Sequence, residues 1–208
     1  MDVSVWLAFF VAAWAISLSP GPGAVAAMSA GLNHGFARGY ALSFGLIAGI
    51  WTQVLVVGVG LGALMAASSL AFGVIKWLGV VYLLWLGIRH WRAPATPLLA
   101  SAGPAQPVSR RALVLRGWMV NAVNPKGTVF LLAVVPQFLD PTRSLAPQYL
   151  VIAATLAFTD LVVMAGYTAL ASRLLRLFRT PSHMRVLNRS FGSLFAAVAV
   201  LLASFKRA

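Results

Sequence analysis

The sequence predicts an all-α integral membrane protein with six transmembrane helices, arranged as an inverted 3+3 repeat whose first and fourth helices are broken. Three observations lead there. Of the 208 residues 61% are apolar and only 9% charged, where a soluble domain carries about 25% charged residues. Charge-free runs of 31 residues (3–33) and 37 residues (39–75) are joined by two of 16 (144–159 and 190–205). Finally, two proline-glycine motifs interrupt apolar stretches at corresponding places in the two halves of the chain.

A helix needs about 20 mostly apolar residues to cross the hydrocarbon, about 17 at the lower end. Strands of an outer-membrane barrel would instead read as alternating segments of about 10 residues. The best-fitting spans are 3–32, 39–64, 68–88, 113–138, 146–171 and 188–205. The start, Met1-Asp2, has no basic region of the kind a signal peptide carries, so the first apolar run is expected to stay as a span. Between the third and fourth spans Pro94, Pro97, Pro104 and Pro107 lie among small residues, which is linker composition. The chain thus divides into a first three-helix repeat (1–90), a cytoplasmic linker (91–111) and a second repeat (112–208). An alternative has five spans, one broken segment returning to the side it left.

The net charge of +13 does not mark a nucleic-acid binder, because the basic residues sit between apolar spans. With the linker inside, eleven of them, from Arg38 to Arg189, fall on the inner side. Four fall outside: Lys76, Arg143, Lys206 and Arg207. The positive-inside rule then places both termini outside. There is no cysteine, which excludes disulfides and thiolate chemistry. His34, His90 and His183 are scattered near span boundaries, whereas a metal site would cluster its ligands. No cofactor is expected.

The first break is Ser19-Pro20-Gly21-Pro22-Gly23. Two prolines without amide hydrogens interrupt a helix, and free backbone groups in hydrocarbon must face protein or a wet cavity. From Pro22 or Gly23 onward a new half-helix would offer free amides and a positive dipole end, suited to a carboxylate. The second break is Asn121-Ala122-Val123-Asn124-Pro125-Lys126-Gly127, with Asn121 and Asn124 on one helix face. Pro20 precedes Arg38 by 18 residues and Pro125 precedes Arg143 by 18. Each half holds three spans, so a repeat of this kind is inverted, the plan many secondary transporters use for alternating access.

Lys126 lies inside the fourth span and Asp160 inside the fifth, where charged groups are expensive and face a partner or a watery path. Lys126 suits either attraction of a substrate carboxylate or a change of protonation during a cycle; snorkelling to an interface is the bland alternative. Asp160 suits either a coupling proton or an α-ammonium group. A pair between the two would form a natural switch or a static structural bridge. Gln53 and Thr52 in the second span are further candidates for a cavity wall. Trp6, Trp77, Trp91 and Trp118 sit near span ends as an aromatic belt would, and the arginines around 173–189 are placed to meet anionic lipid headgroups.

These motifs, taken in order, resemble the LysE/RhtB family of amino-acid exporters of bacterial inner membranes. The resemblance runs from Ser19-Pro20-Gly21-Pro22 through Gly31, Gly35 and Gly39 to the third-span ending Gly79 to Arg89. It continues with Arg116-Gly117, Asn121, Asn124-Pro125-Lys126, Pro136-Gln137-Phe138-Leu139-Asp140-Pro141 and Leu187-Asn188-Arg189. It implies that the breaks at Pro20, Gly21 and Pro22 and at Asn124, Pro125 and Lys126 form the central site region; the residue reading adds Gly23, Gln53 and Asn121 as substrate-binding candidates and Asp160 with Lys126 as candidates for proton coupling. Family members often carry an aspartate after the glycine matching Gly49, where this chain has Ile50-Trp51. That departure favours a neutral substrate over a basic one. Export driven by the proton gradient and assembly as a homodimer also follow from the resemblance alone.

The expected function is therefore secondary export of a small amino acid or derivative by alternating access, rather than an enzyme. A channel or a structural membrane protein is the alternative. The orientation is directly testable because the chain lacks native thiols. Ser101→Cys should resist a membrane-impermeant thiol reagent applied to intact cells, while Ser144→Cys should react; the reverse pattern would invert the topology.

Overall fold

The computed structural model describes residues 1–67, 69–93, 108–173 and 181–204. All its regular elements are helices: α1 (Val3–Leu18), α2 (Pro22–Gly39), α3 (Ala41–Ala67), α4 (Ser69–Trp91), α5 (Arg110–Ala122), α6 (Pro125–Val134), α7 (Leu145–Arg173) and α8 (Pro181–Ser204). A 3₁₀ turn, Val135–Phe138, extends α6. The expected linker lies mostly outside the described residues, as do Arg176, Arg179, Lys206 and Arg207.

Both expected breaks are present. Pro22 starts α2 and Pro125 starts α6, positions where the missing amide hydrogen disrupts no helical bond. The chain bends by 55° between α1 and α2 and by 51° between α5 and the α6 segment. Each bent pair together is long and apolar enough to cross a membrane, as α3 and α7 are individually. α4 and α8 add helices of 23 and 24 residues. Two boundaries differ from the sequence reading: α5 begins at Arg110 and α8 at Pro181, so basic residues extend both helices beyond their apolar cores. α2 also runs past Asn33, but kinks at Gly35, whose φ of +71° an L side chain would resist.

The breaks divide the interior in two. One apolar cluster gathers α1 and α6, with Phe9, Ala12, Phe130, Val134 and Phe138 packed against Ile152 and Leu156 of α7. The other gathers α2 and α5, with Ala27, Met28 and Leu113 against Leu42 and Leu46 of α3 and Val163 and Met164 of α7. The first is filled by rings, Phe9 meeting Phe138 edge-on at 5.3 Å. The second relies on close backbone approach. A Cβ at Gly45 would overlap the Val114 carbonyl, one at Gly117 the Leu42 carbonyl, and one at Gly31 the Thr168 carbonyl. Small residues let helices touch where lipid offers no hydrophobic drive.

Gly117→Ala should therefore destabilise the protein by about 2 kcal/mol, an overpacking loss, read from unfolding in mixed micelles. Gly166→Ala, with open space at its Cβ position, should change stability by less than about 1 kcal/mol. Equal effects would contradict the seam.

Candidate functional site

At the level of the breaks, between the two apolar clusters, lies a cavity of about 70 Å³, room for several waters. Its walls include Ser19, Gly21, Gly23, Gln53, Asn121, Asn124, Lys126 and Asp160, with Ile16, Ile50, Phe130, Leu131, Leu156 and Met164 as the apolar part. The structure thus brings seven sequence-derived candidates to one volume. Pro20, Pro22 and Pro125 make the breaks without lining the cavity, and Thr52 does not line it either. Its hydroxyl bonds to the Ala48 carbonyl at 2.8 Å and receives the Trp118 indole at 3.2 Å, on a different side of α3.

The second break is closed by side chains. Asn124 caps α6 by accepting from the Lys126 amide at 3.1 Å, and its own amide group donates to Asn121 Oδ1 at 3.2 Å. Asn121 in turn donates to the Leu46 carbonyl at 2.9 Å, tying α5 to α3. Gln53 Nε2 donates to the Asn124 carbonyl at 2.8 Å and to Thr128 Oγ1 at 2.9 Å. A Cβ at Gly127 would come within 2.6 Å of Gln53 Oε1, so that position holds α3 close to α6.

The first break depends on residues far away in sequence. Lys126 Nζ donates to the Ser19 carbonyl at 2.6 Å and the Ile16 carbonyl at 3.4 Å. Tyr167 donates its hydroxyl to the Leu18 carbonyl at 2.6 Å. These are carbonyls at the negative end of α1, where a cation is favoured. On the other side of the break Gly21 brings no side chain to cap α2, and Pro22 has no amide hydrogen. Gly23 and Ala24 line the cavity; as first-turn residues of α2 their amides lack intrahelical partners and belong to the positive end of the helix dipole.

Asp160 is buried in the same wall, with Oδ2 lacking a hydrogen-bond partner. It forms no ion pair with Lys126; among the described residues the ion pairs join Arg143 to Asp2 and to Asp140. A carboxyl group and an amine thus face one small volume without neutralising each other by contact. Sequence reasoning missed Tyr167, although it lies seven residues after Asp160, two turns along the same face of α7. It also missed Ser17 and Thr159, whose buried hydroxyls meet at 3.1 Å behind the α1 end.

An all-helical membrane protein with half-helix ends converging on a central polar cavity has the architecture of a small-solute carrier. A LysE type translocator family model matches residues 14–205, and the chain belongs to that family, one of translocators rather than enzymes. It is 43% identical over 208 residues to a homoserine/homoserine lactone efflux protein of Salmonella typhimurium, covering 100% of both chains. It is 45% identical to a protein of Vibrio cholerae named an uncharacterized membrane protein, over 99% of this chain and 100% of the relative. A leucine efflux protein of an Enterobacter species is 29% identical over 94% of this chain and 93% of its own. No solved structure matches the chain.

Capping by Asn124 makes a specific demand on stability. Asn124→Ala should cost about 1–2 kcal/mol, the range for a lost N-cap, in the same micelle unfolding assay. Asn124→Ser retains a capping acceptor and should recover about half; equal losses would count against the cap.

Proposed function

We propose that this protein is a secondary exporter carrying a small, neutral, zwitterionic amino acid of the homoserine kind out of the cytoplasm by alternating access. The observation that carries the reading is the single cavity faced by Lys126 and Asp160, an amine and a carboxyl group not paired to each other. A zwitterion supplies a counter-charge for each. Its carboxylate would take Lys126 in protonated form together with the amides of Gly23 and Ala24, and its ammonium would take Asp160. Gln53, Asn121 and Asn124 hold the second break in shape rather than bind by charge. The apolar walls from Ile16, Phe130 and Leu131 would accept the substrate's carbon chain.

The same two groups are the proposed proton carriers. Both line the same cavity, so a proton lost by Lys126 and one gained by Asp160 would leave both neutral. The setting is the bacterial inner membrane, with α1–α2, α3, α4, α5–α6, α7 and α8 as six crossings and both termini outside. The halves repeat in inverted fashion, and the two apolar clusters would open in turn.

The relatives suggest a sharp comparison, because homoserine has a free carboxylate and homoserine lactone has it closed in a ring. In proteoliposomes, counterflow of labelled homoserine should saturate, and Lys126→Ala should lower it at least tenfold. The lactone, which retains only the amine, should be affected less by Lys126→Ala but equally by Asp160→Asn. Homoserine exchange undiminished in folded Lys126→Ala would overturn the assignment of the carboxylate to Lys126. Conduction without saturation or counterflow would overturn the carrier in favour of a channel.

A further inference from the structure

The chain has 16 lysines and arginines but only three acidic residues. Asp2 and Asp140 both bind Arg143, and Asp160 faces the central cavity. Among the described residues, no other arginine forms an ion pair with a side-chain carboxylate.

Four of these other arginines lie at the same end of the α4–α8 pair. The two helices run antiparallel with their backbones in contact: a Cβ at Gly87 would lie 2.9 Å from the Gly192 carbonyl oxygen, and one at Gly192 would lie 2.7 Å from that of Gly87. Past this point Asn188 Nδ2 donates to the Ala93 carbonyl at 3.4 Å. That register puts Arg89 and Arg92, at the end of α4, at the same level as Arg185 and Arg189 in the first turns of α8. All four are exposed.

Two of the guanidinium groups are held over tryptophans. Arg89 Cζ lies 5.2 Å from the centre of the Trp85 ring, and Arg189 Cζ 5.9 Å from that of Trp91. A guanidinium over a ring keeps its N–H edge for a phosphate, which it matches with paired hydrogen bonds. Both tryptophans are about half exposed, 49% and 52%. Further along α4 towards the bilayer interior, Val81, Leu84 and Ile88 are exposed as well. The site thus joins a phosphate-binding edge to an apolar surface suited to acyl chains.

We propose that this end of the α4–α8 pair binds the headgroup of an anionic phospholipid, with the acyl chains against the outer face of α4. A free anion would leave that apolar face unused, and a second copy of the same face would meet it with like charge. The inference does not depend on the transported substrate.

The test is native mass spectrometry of the full chain in detergent, with phosphatidylglycerol and phosphatidylcholine of identical acyl chains added at equal concentration. Phosphatidylglycerol should be retained about tenfold in preference, and Arg89→Gln with Arg189→Gln should abolish most of that preference. The matched double variant Arg38→Gln with Arg173→Gln should keep it. If the first double variant does not fold, each single substitution should reduce the preference about threefold. Equal retention of the two lipids would overturn the proposal, as would equal loss in both double variants, which would indicate a diffuse basic belt. Displacement of the lipid by equimolar inorganic phosphate, or a lipid-free dimer in its place, would also overturn it.

Discussion

A backbone carbonyl inside a bilayer must find a donor, and the prolines at 20, 22 and 125 create several that no helix can satisfy. Each left unpaired would cost several kcal/mol. Lys126 resolves much of this alone. Its backbone amide is capped by Asn124, and its side chain reaches across to the Ser19 and Ile16 carbonyls at the end of α1. Tyr167 supplies a further donor, to Leu18. The ends of the two broken helices are thus joined by hydrogen bonds from Lys126, which also lines the cavity between them.

The packing on either side follows from the same constraint. Helices that break midway leave four shorter pieces, and each pair of pieces needs its own apolar core. α1 and α6 meet through large side chains, while the α2–α5 side meets through glycines that bring backbones into contact. Between the two cores the wall is polar because the break residues are there. The cavity is therefore a consequence of the interruption itself, and the amine and carboxyl group in its wall are the features on which the proposed zwitterion binding rests.

Much of this was legible in the sequence. Charge-free runs announced the long helices, and Pro-Gly motifs announced the bends, because both are local properties of the chain. Gly21, Gly23, Gln53, Asn121, Asn124, Lys126 and Asp160 could each be singled out as polar or conformationally special groups at membrane depth, and they do share one cavity. What escaped was which group meets which. Lys126 and Asp160 invited pairing as the two buried charges, but backbone carbonyls took the lysine instead, and carbonyls leave no mark in a sequence. Thr52 was polar at the right depth and turned to another side of α3. Tyr167 was overlooked because a tyrosine in a span reads as an anchor until a free carbonyl is found opposite its hydroxyl.

In the proposed cycle the amine now holding the end of α1 is the one that receives the substrate's carboxylate. A structure of the protein with homoserine bound is the decisive test. The carboxylate should lie within hydrogen-bond distance of Lys126 Nζ and the ammonium at Asp160, with the contact between Lys126 and the Ser19 carbonyl lengthened or broken. Homoserine bound elsewhere, with Lys126 still seated on the Ser19 carbonyl, would contradict it and reduce Lys126 to a clamp on the broken helix.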